Sequence, residues 1–211
     1  MGIQTKICGI RTPDALQAAV EGGARFVGFV FYSPSPRAIS LDMAKELALT
    51  LPTGVRSVAL FVDPSDEALE AVLGHVPIDM IQLHGDETPT RVAQIREKYT
   101  LPVIKAFPVR TEDDIEKVGD YAAADWFLFD AKSVDPNFHG GTGQSFDWNL
   151  LKGKIFSKPW MLSGGLTPEN VRDALGVLSP DAVDVSSGVE RARGVKDAGK
   201  IRAFLAAVNG V

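Results

Sequence analysis

The chain has 211 residues, 45% hydrophobic and 23% charged, a size and balance that suit one α/β-barrel domain spanning 1–211. Its formal net charge of −5, with basic residues scattered among acids, argues against general nucleic-acid or anionic-membrane binding, because neither polyanion is drawn to an acidic surface without a local basic patch. No apolar run is long enough to span a bilayer, the first residues lack the basic and apolar regions of a signal peptide, and a single cysteine excludes an intrachain disulfide; together these predict a cytoplasmic protein.

In chain order, runs rich in Val, Ile and Phe predict strands over Ile3–Cys8, Phe26–Phe31, Ser57–Val62, Met80–Leu83, Val103–Phe107, Trp126–Asp130, Trp160–Ser163 and Ala182–Ser186. Between them, Ser, Thr, Asp or Pro open amphipathic stretches, which places helix starts at Thr12-Pro13, Ser40-Leu41, Pro64-Ser65, Thr88-Pro89, Thr111-Glu112, Thr167-Pro168 and near Val195. Regular βα alternation with no linker predicts a parallel sheet covered by helices, closed into a (β/α)8 TIM barrel. An open doubly wound sheet is the alternative, but the Gly-x-Gly-x-x-Gly turn it commonly carries follows none of the early strands. The stretch from Ala131 to Gly143 has neither helical nor strand periodicity, and its place after a strand ending in Asp130 predicts a mobile active-site loop.

Several residues sit where a βα barrel keeps its chemistry, at the C-terminal ends of strands. Cys8 ends the first strand before Gly9; alone, such a cysteine reads as a small buried hydrophobe. Asp130 closes Trp126-Phe127-Leu128-Phe129, either as a turn cap or as a general acid whose aromatic neighbours disfavour its charged form. Arg37 lies in the stiff loop Ser33-Pro34-Ser35-Pro36-Arg37, where two prolines limit its freedom and suit it to bidentate carboxylate recognition. His84 ends the fourth strand and either hydrogen-bonds a ligand or lines the mouth. The glycine turn at Ser163-Gly164-Gly165-Leu166 and the small-residue turn at Ser186-Ser187-Gly188 follow the last two strands, the usual phosphate site of such barrels. With His75, His84 and His139 at no zinc spacing and no oxygen-rich cage, no metal is expected. Lys6 and Lys105 are candidate barrel-interior lysines, which keeps a Schiff-base mechanism open beside a purely structural reading.

These residues, taken together, resemble the phosphoribosylanthranilate isomerases of tryptophan biosynthesis over almost the whole chain. The resemblance is carried by Lys6-Ile7-Cys8-Gly9, Gly28-Phe29-Val30-Phe31 with Ser35-Pro36-Arg37, Gln82-Leu83-His84-Gly85, and Phe129-Asp130. It continues through Gly140-Gly141-Thr142-Gly143 with Phe146-Asp147-Trp148, Leu162-Ser163-Gly164-Gly165-Leu166, and Val183-Asp184-Val185-Ser186-Ser187-Gly188-Val189-Glu190. It implies a cofactor-free Amadori rearrangement of a small phosphorylated substrate by an enzyme, monomeric or homodimeric; relatives occur both alone and fused to a neighbouring enzyme, and the chain's end soon after its last expected helix sets the expectation of the stand-alone form. By position, Asp130 is then the general acid and Cys8 the general base. Arg37 holds the anthranilate carboxylate, the backbone around Gly164, Gly165, Ser187 and Gly188 holds the phosphate, and Asp184 and His84 line the sugar and ring region.

Such chemistry sets expectations for two pKa values. A free thiol near 8.5 is only about 3% thiolate at pH 7, and a depression of one unit raises that to about 24%. The N-terminus of the helix opening at Thr12-Pro13 is expected to supply the depression, while Asp130 is expected to be raised. Two rivals stand beside the isomerase. One is another phosphosugar barrel, an indole-glycerol-phosphate synthase-like lyase or a Schiff-base aldolase, which would depend on Lys105 or Lys6. The other is a non-catalytic phosphoribosyl-binding protein, which would have no need of Cys8 and Asp130 together.

Overall fold

A computed structural model of the chain describes residues 2–131 and 145–210. Eight parallel strands form a closed barrel in sequence order: β1 (Gln4–Cys8), β2 (Phe26–Val30), β3 (Arg56–Phe61), β4 (Met80–Leu83), β5 (Val103–Val109), β6 (Trp126–Ala131), β7 (Trp160–Leu162) and β8 (Ala182–Val185). Every predicted strand is present, with ends displaced by at most two residues and β4 as expected. Closure is made by β1 against β8, which puts Lys6 beside Asp184.

The helices are α1 (Pro13–Glu21), α2 (Leu41–Leu49), α3 (Asp66–Leu73), α4 (Pro89–Tyr99), α5 (Glu112–Glu116), α6 (Val171–Val177) and α7 (Ala198–Asn209). Local chemistry explains their starts. The hydroxyls of Thr12, Ser40, Ser65 and Thr88 accept from the backbone N–H three residues on, and Pro13 and Pro89 occupy first-turn positions where no N–H is needed. Thr111 and Asp114 form a capping box on α5.

Two expected helix starts need correction. Thr167-Pro168 opens a turn, closed by the Asn170 side-chain oxygen accepting from Thr167 N–H at 2.8 Å, so α6 begins only at Val171. Val195 does not open a helix: with Lys196 it forms β10, paired antiparallel with β9 (Glu190–Ala192), and α7 starts after the Asp197 cap. Among the described residues the β6–β7 connection carries a short 3-10 helix, Trp148–Leu151. The expected mobile loop from Ala131 to Gly143 lies, beyond Ala131 itself, outside the described residues, as does His139.

Strand parity sorts the side chains. Phe26, Val58, Met80, Ile104, Ala106, Leu128, Met161 and Ala182 form a buried cluster filling the barrel, as expected where strand side chains alternate between faces. Strand residues of the opposite parity, such as Ile7, Val27, Phe29, Ile81 and Phe127, join the larger core between sheet and helices. Each fully buried apolar side chain of that kind contributes roughly 1.5–3 kcal/mol relative to exposure. Toward the C-terminal ends of the strands the interior layer turns polar, and that change makes the site. No helix among the described residues is long and apolar enough to cross a membrane.

Candidate active site

One cavity of about 620 Å³, including its open mouth, lies over the C-terminal ends of the strands. Cys8, Arg37, His84, Asp130, Gly164, Gly165, Asp184 and Ser187 all line it, together with apolar Val30, Leu60 and Leu166. Residues spread over 180 positions of sequence are thereby collected into one pocket. Of the predicted site residues Gly188 alone is absent from the wall: it lies in the 3-10 turn Ser187–Val189, packed against the Leu166 carbonyl.

Cys8 and Asp130 stand on β1 and β6, with β7 and β8 between them on one side and the remaining four strands on the other. Both are buried. The Cys8 carbonyl accepts from Ser186 Oγ at 3.2 Å, which ties the end of β1 to the turn after β8. Contrary to expectation, the Cys8 thiol is raised above its ordinary value. Burial is the largest cause; Lys6 opposes it, Asp184 reinforces it, and Lys196 also opposes it. The helix that was expected to depress it begins only at Pro13, five residues on, and a macrodipole effect fades within the first turn. The charges that favour a thiolate are instead the two buried lysines.

Asp130 accepts from its neighbour Ala131 N–H through Oδ1 at 2.8 Å, and its Oδ2 lies 3.2 Å from His84 Nε2. Gln82, two residues before His84 on the same face of β4, places its amide nitrogen 2.9 Å from His84 Nδ1. The aromatic surroundings expected for Asp130 belong to the other face of β6. Phe129 packs against Phe107, Phe156 and Trp160, with ring centroids 4.7–6.1 Å apart, in the helix-facing layer, whereas the interior neighbour of Asp130 is Leu128.

Arg37 reaches the cavity wall from the loop after β2, and its guanidinium is engaged by Glu190, which accepts from Nε at 2.7 Å and from Nη2 at 3.0 Å. Lys196 and the Gly194 N–H also donate to Glu190, at 2.9 and 3.0 Å. Burial pushes the Glu190 carboxyl up, but Arg37, Lys196 and Gly194 outweigh it and hold the group at about 2. The β9–β10 hairpin is thus the clamp that fixes Arg37. Sequence reasoning missed that role for Glu190, although it ends the quoted Val183–Glu190 motif.

The two turns expected to bind phosphate lie side by side. Gly164 and Gly165 both have positive φ, +88° and +65°, and a Cβ on Gly164 would sit 2.5 Å from the Ala131 nitrogen. Only glycine meets both demands. Among the described residues, the backbone N–H groups of Gly164, Gly165, Ser187 and Gly188 take no acceptor, and the first three belong to residues that line the cavity.

The lysines separate. Lys105 faces the helix layer, donating to Gly85 O at 2.7 Å and to Glu87 at 2.9 Å, so the expectation of a barrel-interior Lys105 is corrected and the Schiff-base rival loses that residue. Lys6 does lie inside the barrel, fully buried, and donates to Asp184 Oδ1 at 2.9 Å. Lys6 and Gln82 were legible in principle, since a two-residue period sets them on the same faces as Cys8 and His84.

Comparison with known proteins gives the family. Residues 5–207 match the model of the family described as N-(5'phosphoribosyl)anthranilate (PRA) isomerase. The N-(5'-phosphoribosyl)anthranilate isomerase of Paracoccus denitrificans is 52% identical over 208 residues, covering 98% of this chain and 97% of the relative. The Rhodospirillum centenum enzyme of that name is 52% identical over 209 residues, covering 98% of each. Among solved structures, phosphoribosyl anthranilate isomerase from Thermotoga maritima superposes with a TM-score of 0.88 at 39% identity, covering 99% of this chain and all of that one. The isomerase in complex with reduced 1-(o-carboxyphenylamino)-1-deoxyribulose 5-phosphate gives a TM-score of 0.85 at 37% identity, with the same coverage. The eight-stranded barrel, the cavity at its C-terminal rim and these matches lead to one statement: the chain belongs to the N-(5'-phosphoribosyl)anthranilate isomerase family.

Proposed function

We propose that the chain converts N-(5-phosphoribosyl)anthranilate to 1-(2-carboxyphenylamino)-1-deoxyribulose 5-phosphate, in tryptophan biosynthesis, with Asp130 as general acid and Cys8 as general base. The observation that carries these roles is that an acid and a thiol, distant in sequence, line one cavity whose rim holds two adjacent turns with unengaged N–H groups. The substrate and product are isomers, so the reaction needs only the relocation of protons and calls for no redox cofactor.

Asp130 protonates the ribose ring oxygen, the C1–O bond breaks, and the anilino nitrogen lone pair forms an iminium. Cys8 then removes the C2 proton, which the adjacent iminium acidifies, and the enolamine tautomerises to the ketone. The phosphate sits on the N–H groups of Gly164, Gly165, Ser187 and Gly188, the anthranilate carboxylate on Arg37, and the sugar against Asp184 and His84. Arg37 suits its part because Glu190 locks its plane before the ligand arrives, which lowers the ordering cost of binding.

His84 suits its part as well, because it touches the acid directly. With the Gln82 amide NH2 donating to Nδ1, the ring proton sits on Nε2 and points at an ionised Asp130. Turning that amide over sets Gln82 Oε1, which is buried and has no partner in the first arrangement, against an Nδ1–H, so that Nε2 accepts from a protonated Asp130. The second arrangement is the one an acid needs.

The same reading takes 1–211 as one domain, monomeric or homodimeric, working in the cytoplasm, where a catalytic thiol stays reduced. The deciding experiment follows consumption of phosphoribosylanthranilate by fluorescence for the parent, Cys8→Ala and Asp130→Asn. Folded variants that turn over like the parent would remove the proposal.

A further inference from the structure

The acid–base reading leaves Lys6 without a task, although it is the largest fully buried charged side chain among the described residues. A lysine ammonium in a barrel interior carries a heavy desolvation cost, met only when its charge is paired. Asp184, its cross-strand partner, supplies one contact at 2.9 Å and itself accepts from Ser163 Oγ at 3.3 Å. Such an ion pair adds little net stability, and a hydrophobic pair of the same size would fill the space as well.

The geometry around Gly28 shows what else the ammonium faces. Gly28 pairs with Cys8 across β1 and β2, and a Cβ built on it would lie 2.9 Å from Cys8 Sγ and 3.3 Å from Lys6 Nζ. Thiol and ammonium therefore converge on one small space that the missing side chain leaves open. Lys6 and Cys8 also lie two residues apart on the same face of β1.

Resting on the reading of Cys8 as the base, we propose that Lys6 is its positioning residue: the fixed cation against which the Cys8 thiolate forms, held in place by Asp184 and given access to sulfur by Gly28. When Cys8 takes the C2 proton its negative charge disappears, and Lys6 returns to a simple pair with Asp184. The charged groups facing Cys8 are Lys6 on β1, Asp184 on β8 and Lys196 on β10. Lys196 is bound to Glu190 and to Ser186, at 2.9 and 2.8 Å, so its charge is already committed to the Arg37 clamp. The directions at Cys8 agree with this assignment, since Lys6 is the strongest influence opposing burial and Asp184 works the other way.

The chain has one cysteine, so the ultraviolet absorbance of the thiolate, with Cys8→Ala as the blank, reports this thiol alone in the intact protein and without any substrate. Lys6→Met is expected to move the thiol titration to higher pH, so that the thiolate fraction at a given pH below the titration falls about tenfold or more. Asp184→Asn is expected to move it to lower pH. If Lys6→Met fails to fold around an unpaired Asp184, the neutral pair Lys6→Met with Asp184→Asn carries the test, with a titration above that of the parent. A thiol that titrates as in the parent, or lower, in the variants lacking Lys6 overturns the proposal. General loosening of the barrel would expose the thiol and move it down, opposite to the expected direction. Retained turnover by Cys8→Ala would instead sink the reading of Cys8 as base and leave the titration result standing, so the two failures are distinguishable.

Discussion

His84 Nε2 lies 3.2 Å from Asp130 Oδ2, across the gap from β4 to β6, so the proposed acid has a proton partner within the cavity. Behind it, Gln82 is fixed on His84 Nδ1 at 2.9 Å. This makes the acid one end of a three-residue chain whose other end is sealed in the barrel.

Replacing the members of that chain is expected to have graded effects. Asp130→Asn keeps the shape but has no acid proton, and kcat/KM should fall by about 10²–10⁴. His84→Ala should lose roughly tenfold or more in kcat, because Asp130 keeps its carboxyl but loses the group that orients it. Gln82→Leu should lose less than His84→Ala. Steady-state kinetics on the three purified variants would check the order; a His84→Ala enzyme with the parent kcat would separate the two residues.

For Cys8, Ala substitution should cost about 10²–10⁴ in kcat/KM with little change in melting temperature, since it removes one sulfur from the cavity wall. Because burial raises the thiol above its ordinary value, the base is mostly protonated in the free protein at neutral pH. The rate constant kcat/KM should therefore climb with pH toward the thiol titration. A flat profile across neutral and mildly alkaline pH would contradict it.

Glu190 gives a stability prediction with a definite sign. Its folded-state pKa, about 2, lies below the ordinary value of 4.5, so the unfolded chain binds the proton more readily, and folding gains stability above pH 4.5 that is lost as pH falls toward 2. The size is roughly 3 kcal/mol. Glu190→Gln should lower stability at neutral pH by a similar amount, flatten its dependence in that acid window, and raise KM by releasing Arg37. Urea denaturation at several pH values, with KM at neutral pH, would measure both.

At the phosphate rim, Gly164→Ala should raise KM and destabilise the protein by about 1–3 kcal/mol, because the added methyl meets the Ala131 backbone at a positive-φ position. A parent-like KM in that variant would place the phosphate elsewhere.

Much of the fold was legible locally. Thr12, Ser40, Ser65 and Thr88 cap helices where they stand in the sequence, and all eight strands match apolar runs, because capping and side-chain alternation are decided among residues a few positions apart. The exceptions were local competitions. Asn170 turned back on Thr167 and delayed α6, and Val195 found a strand partner in Ala192 before α7 could begin.

By itself the sequence determined which residues close strands, and so that Cys8, Arg37, His84, Asp130 and the two small-residue turns would meet at one rim of a barrel. Tertiary structure alone decided their electrostatics. Lys6 meets Asp184 across 178 positions and Arg37 meets Glu190 across 153, pairings that exist only because β1 closes on β8 and the hairpin after β8 folds back over the loop after β2. Burial and charge act through space, so the direction in which Cys8 titrates is set by neighbours that sequence distance conceals.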